Sequence, residues 1–148
     1  MAIFELSVEL PVSVEALFDW HLQPEALPLM IPPSEPVQVE RAPARLENGA
    51  RVVLRVGRWP LRLRWVADHR DVQRPHGFVD EQTRGPFARW VHSHRMESLG
   101  PQRSRLTDHV DYTLPLEPLS RWVAGWFVRR KLERMFAHRH RVLSEQFA

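Results

Sequence analysis

The sequence predicts an α+β fold: a curved antiparallel sheet of six to seven strands, two short helices after the first strand, and one long C-terminal helix that closes over the sheet. Three observations predict it. Through much of residues 37–114 apolar and polar residues alternate with the two-residue period of a half-buried strand. The connections between these runs are short, as in an antiparallel meander. From Leu119 to Phe147 the chain contains no proline and is rich in helix formers through its second half.

Taken in order, Phe4, Leu6, Val8 and Leu10 alternate with Glu5, Ser7 and Glu9, a strand ended by Pro11. Ser13 can cap a helix on which Val14, Leu17, Phe18 and His21 share a face. Pro24 suits the first turn of a second short helix, PEALPLM, which stops before Pro32 and Pro33. Val37 and Val39 begin the next strand, Val52, Leu54 and Val56 the one after, and Gly57 to Pro60 a turn. Leu61, Leu63, Trp65, Ala67 and His69 then share one face. Further inward sets are Phe78, Asp80 and Gln82; then Trp90, His92, His94 and Met96; then Leu106, Asp108, Val110, Tyr112 and Leu114. On the last helix the apolar stripe changes phase. Leu119, Trp122, Val123 and Trp126 occupy one face, and Val128, Leu132, Met135, Val142 and Leu143 nearly the opposite one. A break near Gly125, or a partner covering one stripe, is expected.

Composition excludes several classes. A chain of 148 residues with 43% hydrophobic and 26% charged residues, no long linker and no repeat fits a single domain over 1–148. The absence of cysteine removes disulfides, thiolate–zinc sites and thiol nucleophiles, and makes the cytoplasm the expected location. The N-terminal segment carries Glu5 and Glu9 among its apolar residues, so a signal peptide is not expected; no apolar run approaches the ~20 residues of a membrane span. The high pI of about 10.4 reflects arginine usage, Lys131 being the only lysine, while the net charge is only +3. Nucleic acid is not an expected partner.

The run GPFARWVHSH from Gly85 to His94, preceded by Phe78-x-Asp80 and followed by Asp108-x-Val110-x-Tyr112-x-Leu114-Pro115, narrows the fold. With the order strand, two helices, meander, long helix, it resembles the START-like superfamily, also called SRPBCC, polyketide cyclase/dehydrase and lipid transport, or the Bet v 1-like helix-grip fold. It is most similar to a bacterial cyclase/dehydrase-like subgroup that occurs alone and fused to epimerase-like dinucleotide-binding proteins. The resemblance implies a pocket between sheet and long helix for a lipid- or polyketide-like molecule. It leaves the reaction open. No GxGxxG is present, and no dinucleotide or other cofactor is expected.

Strand register puts His69, Asp80, Gln82, His92, His94 and Asp108 among the inward aromatic residues Trp65, Phe78, Trp90 and Tyr112. Trp122 and Trp126 on the helix join them as candidate ligand contacts. Buried polar groups must pair with each other, with water or with a ligand. One reading is a hydrogen-bonded layer that fixes strand register. Another makes His92 or His94 an acid/base oriented by Asp80 or Asp108, as in a cyclase or dehydratase. A third is a metal site on His92-x-His94 with Asp108 or His69, but HxH alone is weak, and no metal is expected. Ser93 and Ser104 are assigned to the outer face, and with no GxSxG a serine hydrolase is not expected. Arg129, Arg130, Lys131, Arg134, Arg139 and Arg141 form a basic cluster interrupted by Glu133 and Glu145, read as a solvated face.

Three functions compete. A binding module for a small apolar or amphipathic molecule requires a cavity above ~300 Å³. An enzyme requires His92 or His94 to touch both a carboxylate and open volume. An interaction module would use the C-terminal helix to pair with a second copy or with a separately encoded epimerase-like oxidoreductase. Weak membrane-surface contact through the same aromatic and basic helix is a further expectation.

Overall fold

The computed structural model describes residues 1–58 and 60–148; Trp59, within the turn expected from Gly57 to Pro60, lies outside the described residues. The elements follow the order β1 (Ala2–Leu10), α1 (Val14–Trp20), α2 (Ala26–Leu29), β2 (Val37–Arg41), β3 (Arg51–Val56), β4 (Leu63–Gln73), β5 (Gly77–Arg84), β6 (Arg89–Gly100), β7 (Arg103–Thr113) and α3 (Leu119–Gln146). All seven strands form one open antiparallel sheet in the order β1-β7-β6-β5-β4-β3-β2. The meander from β2 to β7 runs in sequence order, and β1 returns to the free edge of β7. The α+β class with a long C-terminal helix is thus the observed one.

Local chemistry explains the first turn. Ser13 Oγ accepts from the Ala16 N–H at 3.2 Å, capping α1. Val14, Leu17, Phe18 and Trp20 of α1 are buried, in one apolar cluster with Leu10, Met96, Leu106 and Leu143. A second cluster joins Phe4, Trp90, Val110, Tyr112, Leu114, Leu132 and Phe136. Each such side chain removed from water stabilises by about 1.5–3 kcal/mol. Helix α3 reaches both clusters through Leu132, Phe136, His140 and Leu143, one face at spacings of three and four.

Gly77 holds two strands at the register the interior needs. Its φ is +140°, and an added Cβ would lie 1.9 Å from the His94 carbonyl oxygen. Only glycine permits that approach. It places Phe78 opposite His94 and Asp80 opposite His92 across β5 and β6.

Four expectations need correction. Helix α3 is continuous through Gly125, so the expected break is absent; the Leu119, Trp122, Val123 and Trp126 stripe is instead exposed, Trp122 at 84%. Ser104 is fully buried, opposite Leu10, because two-residue spacing from inward Leu106 puts it on the inner face. Leu61, just before β4, and Leu63, its first residue, are exposed, away from β1, β6 and β7, where most helix packing occurs. The second helix is only one turn, Ala26–Leu29, with Pro24 and Glu25 in the turn before it.

Candidate functional site

A cavity of about 150 Å³ lies between β2–β6, the α1–α2 segment and α3. Its apolar walls come from Leu27, Met30, Val52, Leu54, Trp65 and Phe136, among others. It is half the volume expected above. Trp65 and Trp90 meet edge-to-face with centroids 5.0 Å apart and occupy part of the space between sheet and helix. A volume near 150 Å³ still accepts a single aromatic ring, and the cavity is only partly enclosed.

The polar side of the cavity is a chain of alternating imidazoles and carboxylates. Antiparallel register brings it together: Asp80 of β5 lies opposite His69 of β4 and His92 of β6, and His94 lies opposite Asp108 of β7. His94 Nε2 donates to Asp80 Oδ2 at 2.7 Å, and its Nδ1 lies 3.3 Å from Asp108 Oδ1. His92 Nε2 donates to the same Asp108 oxygen at 2.7 Å. His140 Nε2, from α3, donates to Asp108 Oδ2 at 2.6 Å. His69 Nε2 is 2.7 Å from Asp80 Oδ1, an ion-pair distance without hydrogen-bond alignment, so that oxygen lacks a hydrogen-bonded partner among the described residues.

The two nitrogens of His94 both face carboxylates, so the ring satisfies both by carrying both protons. Burial lowers its pKa, but hydrogen bonds and attraction from Asp108 and Asp80 prevail and raise it to about 9. The imidazolium stacks on Phe78 with centroids 4.1 Å apart, a cation–π contact. His92 is the counterpart. Burial, with repulsion from His94, lowers its pKa to about 4 despite Asp108, leaving the ring neutral near pH 7. Burial likewise lowers His21, at the cavity wall, to about 4. For Asp80 and Asp108 burial pushes upward, but imidazole hydrogen bonds outweigh it and hold both carboxyls well below the usual carboxylate range.

Of the residues singled out from sequence, Trp65, His69, Phe78, Asp80, Trp90, His92 and His94 line the cavity. Asp108 lies behind that wall as the hub of the imidazoles. Gln82 and Tyr112 do not line it. The Gln82 amide donates to the Phe87 carbonyl at 2.7 Å and clamps the β5–β6 turn. Tyr112 is buried in the Phe4–Phe136 cluster. Trp122 and Trp126 face solvent on a part of α3 outside the cavity. Asp80, His92 and His94 also bring donor atoms within 4.8 Å of one another, a spacing that could hold a metal ion. Within that group His94 Nε2 and Asp80 Oδ2 are hydrogen-bonded to each other, while Asp80 Oδ1 has no hydrogen-bonded partner among the described residues.

Two wall features escaped the sequence reading. The segment after β2 contributes Ala42, Pro43, Arg45 and Leu46, which follow no period. Arg139 was grouped with a basic surface, and His140, which lies behind the wall on Asp108, was not singled out. The signal for His140 was its spacing of eight from Leu132 and four from Phe136, on the stripe that ends at Leu143.

Residues 10–138 match the family described as polyketide cyclase / dehydrase and lipid transport. The chain belongs to that family. No curated protein matches it. Among solved structures, the fold is shared with Zhui aromatase/cyclase from Streptomyces sp. R1128, at TM-score 0.74 and 14% identity over 98% of this chain and 92% of that one. A START superfamily protein from Mycobacterium smegmatis matches at TM-score 0.72 and 16% identity, over 98% and 96% of the two chains. A nucleoside-diphosphate sugar epimerase from Corynebacterium glutamicum matches at TM-score 0.73 and 24% identity, covering 96% of this chain but 28% of the epimerase. This chain therefore spans little more than a quarter of that relative's length. Among its described residues, no helix is long and apolar enough to cross a membrane.

Proposed function

We propose that this family member binds a small, mainly apolar molecule in the cavity between the sheet and α3, with the imidazole–carboxylate chain orienting its polar end. The observation that carries this reading is the cavity itself: apolar walls on most sides and a few polar groups on one. About 150 Å³ suits one ring, or one end of a longer molecule whose remainder reaches through the open side. Ala67 lines the cavity, so Ala67→Trp should fill it. Wild-type protein titrated with 4-methylbenzamide, followed by tryptophan fluorescence and calorimetry, is expected to show saturable binding that Ala67→Trp abolishes while remaining folded. Equal binding by both proteins would remove the cavity from the account.

A second reading, acid–base catalysis of the cyclase or dehydratase kind, is favoured by one specific observation. His92 and His94 both border the cavity and both reach a carboxylate. In that reading cationic His94 is the proton or hydrogen-bond donor, and neutral His92, with Nε2 engaged by Asp108, offers Nδ1 as the acceptor. The likeness to an aromatase/cyclase supports it at the level of fold.

A further inference from the structure

Arg139 lies on the buried side of α3, next to His140, and lines the cavity. Its guanidinium rests against the Phe136 ring, 5.1 Å from the centroid. Its Nε is enclosed and has no hydrogen-bond partner among the described residues. This sets it apart from the arginines of the outer surface, many of which are paired: Arg51 with Asp68, Arg64 with Glu40, Arg70 with Glu81, Arg89 with Asp111.

The carboxylates nearest in charge do not supply a partner. Asp108 and Asp80 attract Arg139 only at a distance, without a hydrogen bond. Asp108 is engaged by His92, His94 and His140, and Asp80 by His94 with His69 beside its other oxygen. An enclosed guanidinium nitrogen without an acceptor is unfavourable; the two terminal nitrogens, which likewise make no hydrogen bond among the described residues and are not enclosed, are the ones an acceptor entering the cavity can meet. Guanidinium has a planar fork of donors that matches a carboxylate in two parallel hydrogen bonds.

We propose that Arg139 is the anchor for a carboxylate head group, so that the cavity takes a small apolar acid in its ionised form. The inference rests on the ligand-binding reading above and names the class of ligand. The apolar body then lies against Trp65, Leu54 and Met30, and the head group against α3.

The test compares 4-methylbenzoate with 4-methylbenzamide, which share shape and differ in charge, by calorimetry at pH 7 on the full chain. Wild-type protein is expected to bind the acid about tenfold or more tightly than the amide. Arg139→Met should reduce that ratio to about one, and Arg139→Lys should keep part of it, with folding followed by thermal melts. The wild-type comparison needs no variant and so survives any folding defect. If the amide binds as tightly as the acid, the anchor is wrong while the cavity reading stands; if neither binds, both fall. A preference for the acid that persists in Arg139→Met would also overturn the assignment.

Discussion

Asp108 accepts from His92 and His140 and has His94 Nδ1 3.3 Å away, three imidazoles from two elements, and it is 2% exposed. Neutralising a buried anion in such a set is costly because each donor was positioned against a charge. Asp108→Asn keeps the volume and replaces one accepting oxygen with a donor. We expect it to destabilise the fold by about 3–5 kcal/mol in urea denaturation and to lower the titration midpoint of His94, read from its ring carbon shifts by NMR. An unchanged His94 midpoint would mean that Asp80 alone holds its proton. At this scale the sequence was informative about which side chains point inward, because a strand has one period. It left the pairing of His92 and His94 with Asp80 and Asp108 open: His94 bonds diagonally to Asp80, although Asp80 stands opposite His92 in register.

Helix α3 shows what periodicity can and cannot reveal about an element. Its two stripes were legible, but not which one the sheet would cover. The answer lies in Leu132, Phe136, His140 and Leu143, which are buried, whereas Trp122 and Trp126, nearer the start of α3, face solvent. The same helix should therefore respond very differently to truncation in its two halves. Leu143→Ala, at a site with 0% exposure, is expected to cost about 2–5 kcal/mol. Trp122→Ala, at 84% exposure, should change the stability of the monomer by less than about 0.5 kcal/mol. Paired urea melts check this, and a large loss from Trp122→Ala would show that the exposed stripe is covered in solution. The strands were legible from alternation and turn residues. The segment after β2 was not, because a loop that lines a cavity has no period to betray it.

The interior of the whole molecule carries opposite shifts on neighbouring imidazoles, and these set how its stability depends on pH. His94 is raised from 6.5 to about 9, so the folded chain keeps a proton that the unfolded chain releases. Its stabilisation is full below pH 6.5 and is lost as the pH rises through 9. His92 and His21 are lowered from 6.5 to about 4, so the unfolded chain binds protons that the folded one refuses. Their contribution is present above pH 6.5 and is lost as the pH falls through 4. Asp80 and Asp108, both held below 3.8, add a further loss only at still lower pH. Between pH 4 and 6.5 the unfolded state therefore binds more protons and stability rises with pH; between 6.5 and 9 the folded state binds more and stability falls. The urea midpoint at constant ionic strength is expected to peak near pH 6.5 and to be lower at both 4.5 and 8.5. Asp108→Asn should flatten the alkaline limb, since His94 then loses one of its two carboxylates. A midpoint that climbs steadily from pH 5 to 9 would exclude a protonated His94 in the folded protein, and with it the charge pattern on the polar side of the cavity.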